Sequence, residues 1–450
     1  MVLQELQERR MEKIEQYLER KFREIALLNA CLNNPLPLPR ASSPAEIIKQ
    51  KFQVTSALKA EHAIQDWALT ETAWAHPGTM RAGPFEFSYD YQRADLEVKG
   101  PSFYAFDHPA RHDTIYTSSG MAAISALLFA SAKLMPSADI LVLPGSYGET
   151  LELIENHARH LTTVQLTQPV SDIAARGVTH RILLLDTSTP CHGIEAAMRC
   201  ASPRLDLVVF DTTCFSSGSG RIGRVLSWAR QCGLPVVLVR SHTKLDSLGV
   251  EYGRLGSAVF IDANHPHKTE QQALIRRLAN ETRQAVRLLG GAALPAHFPP
   301  FAGNATYRTL TDRRIASILY NGRRAISYFA SAFAGSPAPL NFAHGLYLTL
   351  VSGSALDEDQ ARQLAAELST DLAKAGMPLR HAGSFGFDFA ATEWFHDTSG
   401  DRYLVRIAVP DLPTLLWDET ARAIADWWNC RWSVSRASAS AGRARPRTAR

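Results

Sequence analysis

From Thr114 onward the chain repeats one pattern, a short apolar run followed by a stretch with helical spacing. The runs fall at Ile140 to Leu143, Thr163 to Leu166, Arg181 to Leu185, Leu207 to Phe210, Val236 to Val239 and Ser257 to Phe260. Short, continuously apolar runs suit strands buried on both faces, and strands separated by helices predict an α/β fold with a largely parallel sheet covered on each side. In such a sheet a ligand lies beyond the carboxyl ends of the strands. Polar clusters at those ends are therefore where chemistry is expected.

Around this region the pattern changes. Leu3, Leu6, Ile14, Leu18, Phe22, Ile25 and Leu28 sit near helical spacing over residues 3 to 28, an apolar stripe that needs either a second subunit or its own domain to cover it. Pro35, Pro37, Pro39 and Pro44 then predict a stiff connector, and a second helical stretch runs from about Ala45 to Trp74. After about Ala263 long helices dominate, with later strands at His344 to Val351, Met377 to Phe387 and Tyr403 to Val409. The division expected is a helical arm and linker over 1–75, a large domain over 76–290, a smaller α+β domain over 291–435 and a disordered basic tail over 436–450.

At 450 residues, with 46% apolar and 20% charged residues, the chain has the composition of a soluble globular protein of two or more domains. Its net charge of +4 is carried by the tail arginines Arg436, Arg443, Arg445, Arg447 and Arg450, so the body is nearly neutral. No aromatic residues interleave those arginines, which favours a solubilising extension over a nucleic-acid contact. The cysteines at 31, 191, 200, 214, 232 and 430 show neither C-x-x-C pairs nor zinc spacing, and read as reduced thiols. No apolar run approaches the roughly 18 residues of a membrane span. The expected location is the cytoplasm.

Ser241-His242-Thr243-Lys244 follows the apolar run Leu234 to Val239. A lysine at a strand's end, with hydroxyls one and three residues before it, suits an amine that holds pyridoxal 5'-phosphate as a Schiff base while the hydroxyls reach the phosphate. A solvated surface lysine is the alternative. Ser118-Ser119-Gly120-Met121-Ala122-Ala123 opens a helix whose first amides favour an anion, or Ser119 simply caps that helix. Asp211, closing the run Leu207 to Phe210, would keep the cofactor's ring nitrogen protonated, or serve as a turn residue. Tyr147, in Gly145-Ser146-Tyr147-Gly148, would stack on the ring and share protons, or lie on the surface. Tyr89, Tyr91 and Arg93 offer phenols and a guanidinium for a phosphate. Arg406 is a charge inside an apolar strand and needs an anion, either a substrate carboxylate or a structural partner. Gly218-Ser219-Gly220-Arg221-Ile222-Gly223 fits a dinucleotide fingerprint, but no glycine follows the strand directly. His157 and His160 have no evident third metal ligand.

In order and spacing these residues resemble the Cys/Met-metabolism family of pyridoxal-phosphate enzymes, over about residues 85 to 410. The resemblance implies fold type I, aspartate-aminotransferase-like, with a mostly parallel seven-stranded sheet between helices and a smaller C-terminal domain. It implies cofactor contacts from Ser119, Gly120, Met121, Tyr147, Asp211, Thr213, Ser241, Thr243 and Lys244, with Tyr91 and Arg93 (and Tyr89) reaching the neighbouring subunit's phosphate in a homodimer or homotetramer. Lys244, Tyr147 and Asp211 would be catalytic, and Arg406 and Ser384 would hold an amino-acid substrate. No metal is implied.

Departures from the family pattern accompany these matches. Asp186-Thr187-Ser188-Thr189-Pro190-Cys191 replaces E-T-P-S-N-P, leaving His192 as the nearest side chain for the missing asparagine's place. After the lysine, Gly249 and Glu251 stand where the family has histidine and aspartate in G-H-S-D. Arg406 is followed by Ile-Ala-Val-Pro instead of L-S-V-G. The expectation is a lyase eliminating a group from Cγ or Cβ of an L-amino acid, in specialised metabolism. Halide loss from a chlorinated allylglycine to give propargylglycine is one form of it. Replacement at Cγ and a catalytically silent cofactor-binding partner are the alternatives.

Overall fold

The computed structural model describes residues 13–67, 72, 74, 80–104, 112–177, 179–262, 269–332, 341–350, 352, 354–397 and 402–441. The chain divides into two compact units, one of Leu18–Ile315 and one of Met1–Tyr17 with Ala316–Arg450. Among the described residues no helix is long and apolar enough to cross a membrane.

The first unit begins with helices Ile14–Asn29 and Pro44–Trp67. Residues 3–12 of the expected first helix lie outside the described residues. The second helix ends before the expected Trp74, which instead forms an isolated bridge with Tyr91. Pro44 opens that helix, where a missing N–H costs nothing, and Glu46 accepts from Ser42 N at 2.7 Å. A small antiparallel sheet follows, β1 (Met80–Ala82), β2 (Phe85–Ser88) and β3 (Glu97–Lys99).

The main sheet contains β4 (His112–Thr117), β5 (Ala138–Val142), β6 (Leu161–Gln165), β7 (His180–Asp186), β8 (Leu207–Asp211), β9 (Val236–Ser241) and β10 (Gly256–Ile261), in the order β4-β10-β9-β8-β7-β5-β6. All neighbours are parallel except β10, which runs antiparallel to β4 and β9. This is the mostly parallel seven-stranded sheet expected, with each apolar run forming its strand to within a few residues. Alternate residues enter opposite cores. Ile140, Val142, Ile182 and Leu184 pack with helices Gly120–Leu134 and Thr269–Leu289. Leu141, Leu183 and Leu185 pack with Ile194, Val225 and Trp228 on the other face. Strands buried on both faces need apolar residues at every position, which is why these runs do not alternate with polar ones.

The second unit carries a five-stranded sheet, β11 (Asn341–Phe342), β12 (Tyr347–Leu350), β13 (Leu379–His381), β14 (Ala390–Asp397) and β15 (Arg402–Ala408), ordered β11-β12-β15-β14-β13. The expected strand Met377 to Phe387 is corrected: β13 covers only its middle, and the longer β14 follows the irregular stretch around Gly383 and Gly386. Gly386, within that stretch, has a φ of 89°, a turn conformation open to glycine. Of the expected strand from His344, Val351 lies outside the described residues. The last helix, Thr414–Ala441, continues into the segment read as a disordered tail, since alanine, serine and arginine tolerate a helix. Residues 442–450 lie outside the described residues.

The first helix hides charge as well as its apolar stripe. Glu24 is fully buried and meets Arg20 Nη1 at 3.2 Å, Lys21 Nζ at 3.2 Å, Arg314 Nη1 at 3.1 Å and Lys51 Nζ. One carboxylate thus meets several buried cations, and removing one partner from a buried ion cluster is costly. We predict that Glu24→Gln lowers unfolding free energy by about 3–5 kcal/mol, read from urea denaturation. A loss under about 1 kcal/mol, typical of a surface ion pair, would contradict this.

Candidate active site

The ends of β4, β5, β7, β8 and β9 lie at the carboxyl edge of the main sheet. Beyond β4, Ser119 is extended and its Oγ accepts from Ala122 N at 3.0 Å, so the capping role is real. Two glycines let this helix start approach the strands. A Cβ at Gly256 would lie 2.2 Å from the Ser119 carbonyl carbon, and one at Gly120 would lie 3.1 Å from Ser241 Cβ. The first turn of the helix, whose amides have no intrahelical acceptors, is thereby set against Ser241. Thr213 Oγ1 accepts from Ser241 N at 3.0 Å, tying the end of β8 to the end of β9. Met121, beside Gly120, receives a long contact from Thr150 Oγ1 at its sulfur.

Strand order reverses where β5 lies between β6 and β7, and such a switch point is where open α/β sheets bind ligands. Here Tyr147 N donates to Asp186 Oδ2 and Ser188 N to Asp186 Oδ1, both at 2.7 Å. Asp186 is paired in register with Asp211 across β7 and β8. Burial pushes the Asp186 carboxyl up, against the opposing bonds from Ser188 and Tyr147. Burial, then the neighbouring Asp186 charge, raises Asp211 to about 7, although Thr213 and Arg240 pull it down. Thr213 N donates to Asp211 Oδ1 at 2.8 Å. Two desolvated carboxyls side by side form a place that favours a cation or a proton-bearing ring nitrogen. Asp186 was missed in the sequence, where it registered only as part of a departure from E-T-P-S-N-P. Its position closing an apolar strand, like that of Asp211, is the signal that would have found it.

The turn carrying Lys244 is built on a buried ion pair. Arg240 Nε and Nη2 donate to Asp246 Oδ2 and Oδ1 at 2.6 and 2.7 Å, and Nη1 donates to Thr212 O and Phe215 O. Burial alone would push the Asp246 carboxyl up, but Arg240 and His242 overcome it and hold it well below the usual carboxylate range. Burial also lowers His242, leaving a neutral imidazole that donates from Nδ1 to Asp246 at 2.7 Å and accepts at Nε2 from Ser257 Oγ at 2.8 Å. Its ring stacks on Phe103 with centroids 4.0 Å apart. Thr243 O accepts from Ser247 Oγ at 2.8 Å. Lys244 is partly exposed, with its amine 3.6 Å from Glu251 Oε1.

Tyr91 and Arg93 are bonded to each other, Arg93 Nη2 to the phenol at 2.7 Å, with the Trp74 ring 5.2 Å from Tyr91. Tyr89 is buried. Arg406 and Ser384 belong to the second unit. Arg406 Nε donates to Glu393 Oε1 at 2.9 Å, and its guanidinium lies over Tyr347 and Phe395. The structural partner that was one alternative for this charge is therefore present, and Ser384 is buried. His160 Nε2 lies 2.8 Å from Ser131 Oγ. In the segment that fits a dinucleotide fingerprint, Ser219 caps helix Gly220–Gln231.

No family model and no curated protein matches the chain. Among solved structures it is similar to cystathionine gamma-lyase from Lactobacillus plantarum complexed with L-serine, at 15% identity over 70% of this chain and 82% of that one, with a TM-score of 0.48. Cystathionine gamma synthase from Xanthomonas oryzae pv. oryzae in complex with cystathionine gives 18% identity, the same coverages and a TM-score of 0.44. An aromatic-amino-acid aminotransferase from Burkholderia pseudomallei covalently bound to pyridoxal phosphate gives 16% identity over 72% of this chain and 79% of that one, with a TM-score of 0.44. Likeness at this level concerns the course of the backbone. The chemistry is argued from the side chains.

The raised carboxyls have a measurable consequence. Asp211 keeps its proton more tightly folded than unfolded, so stability from it is complete below its ordinary value of 3.8 and is lost as pH rises through about 7. Asp211→Asn retains an acceptor for Thr213 N. In the cofactor-free protein it is predicted to raise the melting temperature at about pH 8 and leave it nearly unchanged at about pH 4. A lower melting temperature at the higher pH would count against the assigned shift.

Proposed function

We propose that this chain is a pyridoxal-phosphate-dependent enzyme acting on an L-amino acid by elimination at Cγ or Cβ. The observation that carries it is the placement of Lys244 on the turn after β9, with its strand end bonded to Thr213 and the desolvated carboxyls of Asp186 and Asp211 closing the neighbouring strands. The residues fit the cofactor's chemistry. Asp211 would receive the ring nitrogen, Tyr147 would lie over the ring, and Ser119, Gly120, Met121, Thr213, Ser241 and Thr243 would take the phosphate. Bound there, the cofactor supplies an electron sink for a carbanion beside it.

The chain's own groups do the rest. The Lys244 amine, once free, would accept the substrate α-proton, hand it on with Tyr147 sharing in the transfer, and, neutral again, take one from Cβ when the group lost is at Cγ. Arg406 and Ser384 would hold the substrate carboxylate, with Arg406 shared between substrate and Glu393. Tyr91 and Arg93, adjacent on one surface, suit the phosphate of a second copy in a homodimer or homotetramer.

A panel of chlorinated, acylated and sulfur-bearing amino acids, incubated with cofactor-loaded protein, tests the reading. Release of halide, carboxylate or thiol without an added nucleophile, abolished in Lys244→Ala, is the expected outcome. Release only with an added thiol that appears in the product would assign replacement instead. No turnover of any member would favour a catalytically silent binding partner.

A further inference from the structure

The loop after Lys244 is held in a conformation that its own residues disfavour. Leu248 and Glu251 have φ of 54° and 44°, left-handed values uncommon for residues with a Cβ. Such strain persists where the surroundings enforce it. Here the enforcement comes from helix Pro44–Trp67. Lys51 Nζ donates to Leu248 O, Lys59 Nζ donates to Glu251 O at 2.8 Å and Val250 O at 3.4 Å, and His62 Nδ1 lies 2.7 Å from Tyr252 OH. Positions 51, 59 and 62 share one helical face. On the inner side, Ser247 Oγ donates to Thr243 O and Lys244 O and accepts from Glu251 N at 3.1 Å. The backbone on both sides of Glu251 is thus fixed, and its carboxylate stands 3.6 Å from the Lys244 amine.

We infer that Glu251 is a further catalytic residue, the carboxylate that holds positive charge on the Lys244 nitrogen, and that Lys59 is its positioning residue; this rests on the reading of Lys244 as the cofactor lysine. When Lys244 takes a proton from substrate carbon, the C–H bond breaks, an N–H bond forms and the electron pair stays with the substrate. The new ammonium then has Glu251 as its counter-ion until it gives the proton up. Helix Pro44–Trp67 therefore belongs to the active site's machinery through the loop it grips.

The test uses the full chain loaded with pyridoxal phosphate and follows its visible absorbance against pH. Glu251→Gln removes the counter-charge, so the protonated chromophore should be lost at a pH lower by about one unit or more. Glu251→Asn relieves the left-handed strain, since asparagine tolerates that conformation. It should melt no lower than the unsubstituted protein yet titrate in the same lowered range, a combination that a merely structural role for Glu251 would not produce. Lys59→Met should shift the titration in the same direction by less. Normal cofactor uptake with unchanged titration in both Glu251 variants would overturn this inference alone. Failure of the unsubstituted protein to take up pyridoxal phosphate would overturn the assignment of Lys244 and this inference together.

Discussion

The ion pair between Arg240 and Asp246 fixes the turn that follows β9. Both side chains are buried, so leaving either alone would strand an uncompensated charge. The pair is fully committed: the guanidinium also serves two backbone carbonyls from the segment after β8, and the carboxylate also takes His242. A network satisfied at every atom is rigid in a low-dielectric interior. It joins the end of β8, the end of β9 and the turn that presents Lys244, so that amine is carried on a turn held by buried, bonded side chains. Tyr307 OH extends the network to Asp246 O, anchoring the turn to helix Ala305–Ala332.

Around that rigid turn, polar groups are arranged by close approach and by desolvation. Glycines at 120 and 256 bring a helix start against Ser241, where any side chain would keep it away. Burial of two adjacent aspartates raises both, which costs stability at neutral pH. Protein active sites commonly hold such perturbed pairs. Glu251 adds a partly exposed carboxylate set against an amine by a strained loop.

Much of this was legible in the chain. Strands buried on both faces announce themselves as unbroken apolar runs, so the main sheet could be traced from Ile140 to Phe260. Asp211 and Lys244 were visible because each ends such a run. Asp186 ends one too, but its segment stands out in the sequence chiefly as a departure from E-T-P-S-N-P. Arg240 and Asp246 lie within the expected strand and turn, yet nothing in their spacing reveals a bidentate pair. The burial of the first helix's charges, Arg20, Lys21 and Glu24, has no sign in the sequence because their partners Lys51 and Arg314 come from distant segments. Glu251 could be placed in the sequence but not beside Lys244, since left-handed residues and a helix far upstream fold the loop back. Strand β14 was hidden by the mixed burial of Ala390–Asp397, whose second half is only partly covered.

The central claim is a covalent one, that the amine of Lys244 carries the cofactor. Borohydride reduction of protein incubated with pyridoxal phosphate, followed by peptide mapping, tests it directly. The account predicts a single reduced adduct on the peptide containing Lys244, absent from Lys244→Ala. An adduct on another lysine, or none, would contradict it.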